Sequence, residues 1–228
     1  MKIITLCENV SLQNKNDLLS EHGLSFFIQT SNHNILFDFG QSDSILHNAK
    51  LLNIDLSCID LAILSHGHYD HSGGLKHFLK INNKAKIYIN ENAMDEYFNI
   101  DKKYIGIDSE TKDYILRDLS KSNSRFIITK NYLKLLENEN IELFTCNEQN
   151  FVFDSYGLCK KTNNDFISDK FLHEQYLLIK ENNKKVLFSG CSHKGILNLQ
   201  SAFNPDYIFG GFHFMKLDVN ILKERKKL

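Results

Sequence analysis

Eight short apolar runs, each broken off by glycine, serine or a polar or ionisable residue, constrain this chain more than any other feature. They are IITLCEN (3–9), LSFFIQT (24–30), NILFDFG (34–40), LAILSHG (61–67), KIYIN (86–90), RFIIT (125–129), KVLFSG (185–190) and YIFGGFH (207–213). Their length and β-branched content favour strands, several of them buried on both faces. Helical spacing of apolar residues separates them at 42–52, opening at a Ser42 or Asp43 cap, and again at 75–81, 91–98, 109–120 and 195–203. Asparagine pairs mark turns at Asn82-Asn83, Asn163-Asn164 and Asn182-Asn183, the last joining QYLLIK to KKVLFSG as a hairpin. No linker and no internal repeat interrupts the pattern, so a single α/β domain over 1–228 is expected. Within it, 91–170 has the weakest strand pattern and is a candidate lid or substrate-facing insertion.

Composition narrows the function classes. Hydrophobic residues make up 42% and charged residues 24%, as in an ordinary globular protein. The formal charge of -1 leaves no basic excess for binding phosphate backbones, and only Lys223 to Lys227 are locally basic, so no nucleic-acid partner is expected. Cys7, Cys58, Cys146, Cys159 and Cys191 have no paired spacing, which argues against a disulfide framework or a zinc ribbon. The first four named read as small apolar fillers. The N-terminal apolar run is too short for a signal peptide, and no stretch approaches the roughly 18–20 residues that cross a bilayer. A reduced, cytoplasmic protein acting on a small molecule is the resulting expectation.

The chemistry is concentrated in LAILSHGHYDHSGGLK (61–76). An apolar strand ends at Ser65, and His66, His68, Asp70 and His71 follow at once. In extended chain, residues two apart point the same way, so His66 and His68 can grip one ion. Asp70 and His71 fall where the chain turns towards the next helix and can serve a neighbouring ion. Gly67, Gly73 and Gly74 let the backbone bend and pack closely. Neutral imidazoles suit Zn, Fe or Mn, and a carboxylate offsets repulsion between two cations. Two later runs repeat the arrangement: KVLFSG delivers Cys191, Ser192, His193 and Lys194, and YIFGGFH delivers His213. HEQYLLIK (173–180) adds His173, which competes with His193 for the role of third histidine, and Glu174, either an acid–base residue or a salt-bridging surface group. Lys194 either holds an anionic substrate group or faces solvent. His22 either reaches the site or merely occupies a turn, whereas His47 and His77 read as surface or packing residues.

The HxHxDH run resembles the signature of the metallo-β-lactamase superfamily. GCSHKGI, GGFH, LCEN (6–9) and EHGLS (21–25) are similar to a subgroup that includes a dihydropterin–ribofuranosylaminobenzene phosphate synthase of methanopterin biosynthesis. The resemblance implies an αββα four-layer sandwich with two divalent ions, zinc foremost and iron or manganese as alternatives. It implies His66, His68 and His193 as candidates for one ion and Asp70, His71 and His213 for the other. Asp38, in NILFDFG, would orient a metal-binding loop, or else serve as a simple turn or cap. Cys191 falls where the superfamily often has a bridging aspartate or a thiolate ligand; it is either a metal ligand or a small buried residue.

The implied reaction is hydrolysis by metal-activated hydroxide, with Asp70 orienting the nucleophile, on a small anionic or phosphorylated metabolite. Pterin-related phosphate synthesis and a non-catalytic metal- or ligand-binding protein are the alternatives. A diiron redox module would carry a carboxylate in place of His68, and a glyoxalase II-like thioesterase an aspartate in place of Cys191. Subgroup members often continue past GGFH to a His-Cys-Thr-Gly segment. This sequence stops at Leu228 without it, which leaves either a shorter variant or an incomplete site around His213.

Overall fold

The computed structural model describes residues 1–13, 17–136, 140–147, 157–163 and 165–213. Asn164 and the basic run at Lys223 to Lys227 lie outside the described residues. In chain order the elements are β1 (Lys2–Cys7), β2 (Ser25–Gln29), β3 (Asn34–Phe37), α1 (Ser44–Leu51), β4 (Leu61–Ile63), α2 (Tyr69–Ser72), α3 (Leu75–Ile81) and β5 (Lys86–Asn90). There follow β6 (Tyr97–Phe98), α4 (Ser109–Leu119), β7 (Phe126–Thr129), β8 (Tyr132–Lys134), β9 (Ile141–Phe144), β10 (Cys159–Lys161) and β11 (Phe166–Ser168). The last are β12 (Tyr176–Glu181), β13 (Lys184–Phe188), α5 (Ile196–Phe203) and β14 (Tyr207–Phe209).

Each of the eight apolar runs contains a strand, and period-2 alternation assigns each side chain to a layer. One sheet runs β1-β2-β3-β4-β5-β7 and another runs β14-β13-β12-β9-β8. Ile35 and Phe37 of β3 meet Leu177, Ile179, Val186 and Phe188 of the second sheet in a shared core. Leu36, between them in sequence, faces the opposite way with Ile45 of α1, Phe78 of α3 and Ile115 of α4. On the outer side of the second sheet, Tyr176, Leu178 and Leu187 pack against Leu199 of α5. The layers are therefore helices, sheet, sheet, helix: the αββα sandwich. Burying each such side chain contributes about 1.5–3 kcal/mol, and a one-residue slip would exchange two cores, so the register is strongly specified. The β12–β13 hairpin turns at Asn182 and Asn183, both with positive φ (51° and 58°), as a tight two-residue turn requires.

The strands β3, β4, β5 and β7 are mutually parallel, as are β13 and β14, so their C-terminal ends gather at common edges. The expected helix over 91–98 does not form. Asn90 Oδ1 accepts the Asn92 N–H at 2.9 Å, an Asx turn that competes with helix initiation, and Tyr97 pairs with Lys160 instead. Of 91–170, β7 joins the first sheet and β8 and β9 the second. Strands β6, β10 and β11 form a separate three-stranded sheet. Among the described residues no helix is long and apolar enough to cross a membrane. Cys7, Cys146 and Cys159 are buried, but Cys58 is exposed and its Sγ reaches Asp55 at 3.2 Å, so it fills no core.

Candidate metal centre

The chain leaves β4 through Leu64 and Ser65 directly into His66, which is fully buried. Leu64 N–H still bonds to Tyr88 O at 3.0 Å, so the strand's support reaches to the edge of the site. Gln175 ties the two sheets together beneath it. Its amide donates to Leu64 O at 2.7 Å and Tyr88 O at 3.2 Å, its carbonyl accepts from Thr129 Oγ1 at 2.6 Å, and its N–H bonds to Ser65 O at 2.7 Å. Two glycines permit the close approach. A Cβ on Gly67 would lie 2.0 Å from Ala93 O, and one on Gly190 would lie 2.1 Å from Ser65 Oγ.

Asp38 sets the state of two imidazoles. Its Oδ1 accepts Ser65 N–H at 2.6 Å, and its Oδ2 accepts Ser65 Oγ–H at 2.7 Å and His71 Nδ1–H at 2.7 Å. The Ser65 hydroxyl has only one proton, already given to Asp38. It must therefore accept at its 2.8 Å contact with His66 Nδ1, and that nitrogen carries the ring proton. Both His66 and His71 thus carry a proton on Nδ1, which turns Nε2 of each ring towards the cluster. Asp38 achieves this at φ 61°, and Ser192 and His213 also sit at positive φ (54° and 50°), so non-glycine residues in the left-handed region cluster around the site.

The remaining candidates converge on the same place. The ring centroids of His66 and His71 are 4.2 Å apart, those of His66 and His193 5.1 Å, those of His68 and His193 5.1 Å, and those of His193 and His213 4.3 Å. Three sets of ligand atoms lie within 4.8 Å of one another: His66, His68 and His193; His66, His71 and Cys191; Cys191, His193 and His213. His71 Nε2 is 3.1 Å from Cys191 Sγ and 3.5 Å from Asp70 Oδ2. Buried Nε2 of His66, Nε2 of His68 and both ring nitrogens of His193 have no hydrogen-bond partner. Such atoms ordinarily cost about 1–3 kcal/mol each when left unsatisfied, so a donor set of this kind fits a bound cation.

Burial, and then the neighbouring imidazoles, hold His66 and His193 well below the usual histidine range and lower His68 to about 3, so these rings are neutral ligands at ordinary pH. For His71, burial opposes the charged form, but the sum of Cys191, Asp70 and Asp38 prevails and raises its pKa.

Other expected residues lie elsewhere. His173 is buried, but both its nitrogens are committed: Nδ1 accepts Gly67 N–H at 2.9 Å and Nε2 faces Asp169 Oδ2 at 3.1 Å. It also belongs to a ligand-distance group with His68 and Asp169, and its ring stacks on Tyr97 at 3.9 Å. Glu174 is fully buried, so the surface salt bridge is excluded. Its carboxylate accepts the N–H groups of His193 at 2.9 Å and Lys194 at 3.0 Å together with the Tyr176 hydroxyl, and so fixes the loop that carries His193. Lys194 is only 3% exposed, so the solvent-facing reading does not hold for it, and it lines a cavity of about 170 Å³ with Lys130 and Asn131. His22, left open by the sequence, does reach the site: its Nε2 is 3.3 Å from Asp70 Oδ2. Sequence reasoning missed Asp169, Gln175 and Phe171, whose ring stacks on His193 at 4.4 Å. The pocket of about 300 Å³ over the cluster is lined by His22, Asp70, His71, Cys191 and His213.

A sequence profile of the metallo-beta-lactamase superfamily matches residues 21–119. The 7,8-dihydropterin-6-methyl-4-(beta-D-ribofuranosyl)-aminobenzene-5'-phosphate synthase of Methanocaldococcus jannaschii is 32% identical, over 100% of this chain and 84% of its own. The crystal structure of a metal-dependent hydrolase of the β-lactamase superfamily is similar at a TM-score of 0.78 and 27% identity, covering 99% of this chain and 81% of that one. A quorum-quenching N-acyl homoserine lactone lactonase shares the fold at a TM-score of 0.50 and 16% identity, over 85% of this chain and 81% of its own.

Proposed function

Because the chain belongs to the metallo-β-lactamase superfamily, we propose that it is a metal-dependent hydrolase of a small, anionic or phosphorylated metabolite, working at a pair of divalent ions. One observation carries this reading: lone pairs of three buried histidines, His66, His68 and His193, converge with no protein partner, and Asp38 fixes the tautomer of the first through Ser65. His66, His68 and His193 would hold one ion. Asp70, His71, Cys191 and His213 would hold the other. Imidazole, thiolate and carboxylate together favour zinc or iron over manganese. When bound, such ions acidify a water and polarise a carbonyl or phosphoryl oxygen.

The chain's own residues supply the rest. Asp38, directly and through Ser65, keeps His66 and His71 in the binding tautomer. Glu174 holds the backbone of His193 and Lys194 in place. His22 Nε2 lies 3.3 Å from Asp70 Oδ2, and its ring is 58% exposed, so it borders the site on the solvent side. A variant combining Asp70→Asn and His71→Ala is expected to lose bound metal and turnover together, measured by elemental analysis and a panel of phosphodiester, lactone and thioester substrates. Full turnover by that protein would contradict the reading.

The similarity to a named synthase along the whole chain favours a second reading, in which the same site joins a pterin-bearing and an aryl phosphate component. Mass spectrometry separates the two: hydrolysis yields smaller fragments, whereas synthesis yields a product heavier than either component.

A further inference from the structure

Resting on the metal pocket as the reaction site, we infer that the substrate carries a bulky apolar body, aryl or acyl, which lodges in the large cavity beside that pocket. This cavity measures about 860 Å³, against about 300 Å³ for the metal pocket, and the two share Glu8, Leu24, Gly210 and Phe212 in their walls. A volume of that order is what small-molecule sites of roughly 300–1,000 Å³ offer. The metal pocket alone lies at the lower end of that range.

The lining specifies the chemistry. Val10, Leu12, Leu19 and Phe209 all border this one cavity while remaining 72%, 57%, 49% and 37% exposed. Clustered exposed apolar side chains at a concave surface mark a binding site for apolar matter. Several polar groups in the same wall are engaged within the protein. The Asn48 side-chain amide bonds to Leu6 O and to both backbone groups of Leu19, each at 2.8 Å. Ser11 and Ser20 hydroxyls bond to each other at 2.8 Å, and Glu8 Oε1 accepts Val10 N–H at 3.2 Å. The cavity thus presents mainly apolar surface, which suits a ring system or branched chain and not a sugar.

The test uses 8-anilinonaphthalene-1-sulfonate with the full chain and with a Val10→Asp/Leu19→Asp variant, whose two positions are exposed enough to leave folding intact. Saturable one-site binding by the wild type is expected, unchanged after chelation of metal, and weakened at least about tenfold in the variant, or ~1.4 kcal/mol. In turnover, the variant should raise KM for an aryl ester while leaving the corresponding methyl ester unaffected. Absence of saturable binding, equal binding by both proteins, or equal KM changes for both esters would overturn the inference. So would dye binding that disappears as the protein self-associates in the ultracentrifuge, because a second copy would then be the occupant. A chain that binds no metal but shows variant-sensitive dye binding defeats the metal reading and supports the cavity.

Discussion

Replacing His66 and His68 together by glutamine is expected to empty the ion site they share with His193 and to lower turnover by about a thousandfold or more, since Lewis-acid stabilisation amounts to several kcal/mol and each ~1.4 kcal/mol is a decade in rate. Stability supplies an independent readout. In the wild type, removing metal exposes the partnerless nitrogens of His66, His68 and His193 to a dry environment with nothing to bond. Chelation should therefore destabilise the wild type; a ligand present at 100 times its Kd contributes about 2.7 kcal/mol. The double variant should respond less to chelator than the wild type, since only the ion at Asp70, His71, Cys191 and His213 would remain. A variant that responds to chelation as fully as the wild type would mean that no ion sits at His66 and His68.

Asp38→Asn is expected to weaken metal binding about 10- to 100-fold and to destabilise the protein by about 3 kcal/mol, although Asp38 touches no ion-facing atom. Asparagine tolerates the left-handed backbone found at φ 61°, so the change isolates the charge from the conformation. What is lost is an acceptor shared by the Ser65 hydroxyl and His71 Nδ1–H, with all three residues buried. Once Asp38 no longer takes the Ser65 proton, that proton can turn to His66 Nδ1, and the ring's own proton can move to the nitrogen meant for metal. Ser65→Ala in the Asp38→Asn background should then cost less than Ser65→Ala alone, because the two act through one network. Urea denaturation and metal titration of the three variants measure this. Simple additivity would show that Asp38 is only a turn residue.

Much of this site is legible in the sequence because its parts leave strands at their ends. An apolar run followed at once by His66, His68, Asp70 and His71 fixes both the buried strand and the side chains that emerge from it. KVLFSG and YIFGGFH do the same for Cys191, His193 and His213, and parallel pairing of β13 with β14 brings those ends to one edge. Asp38 could be suspected for the same reason, but its hydrogen bonds to Ser65 and His71 depend on the parallel β3–β4 pairing.

Residues whose role depends on sheet-to-sheet packing were harder to read. Glu174 has the composition of a surface group, yet the second sheet buries it beneath the His193 loop. Gln175, in the same short segment, gives no sign that it will bridge three strands. Lys194 follows His193 in sequence, yet it is buried and lines a cavity with Lys130 and Asn131. The stretch 91–98 has helical spacing of Met94, Tyr97 and Phe98, and a local Asn90 side-chain bond outweighs that weak preference. His173 and His193 could not be separated by sequence because the distinction rests on Asp169 and Gly67 occupying both nitrogens of one ring.

Element-resolved mass spectrometry of the protein, purified without chelator and dialysed, together with anomalous scattering from its crystals, tests the metal centre most directly. About two divalent ions per chain are expected, as in paired-metal hydrolases. One should peak among His66, His68 and His193, and the other beside His71 and Cys191. A chain that retains no zinc, iron or manganese after incubation with each, or that holds an ion only at His173 and Asp169, would contradict it.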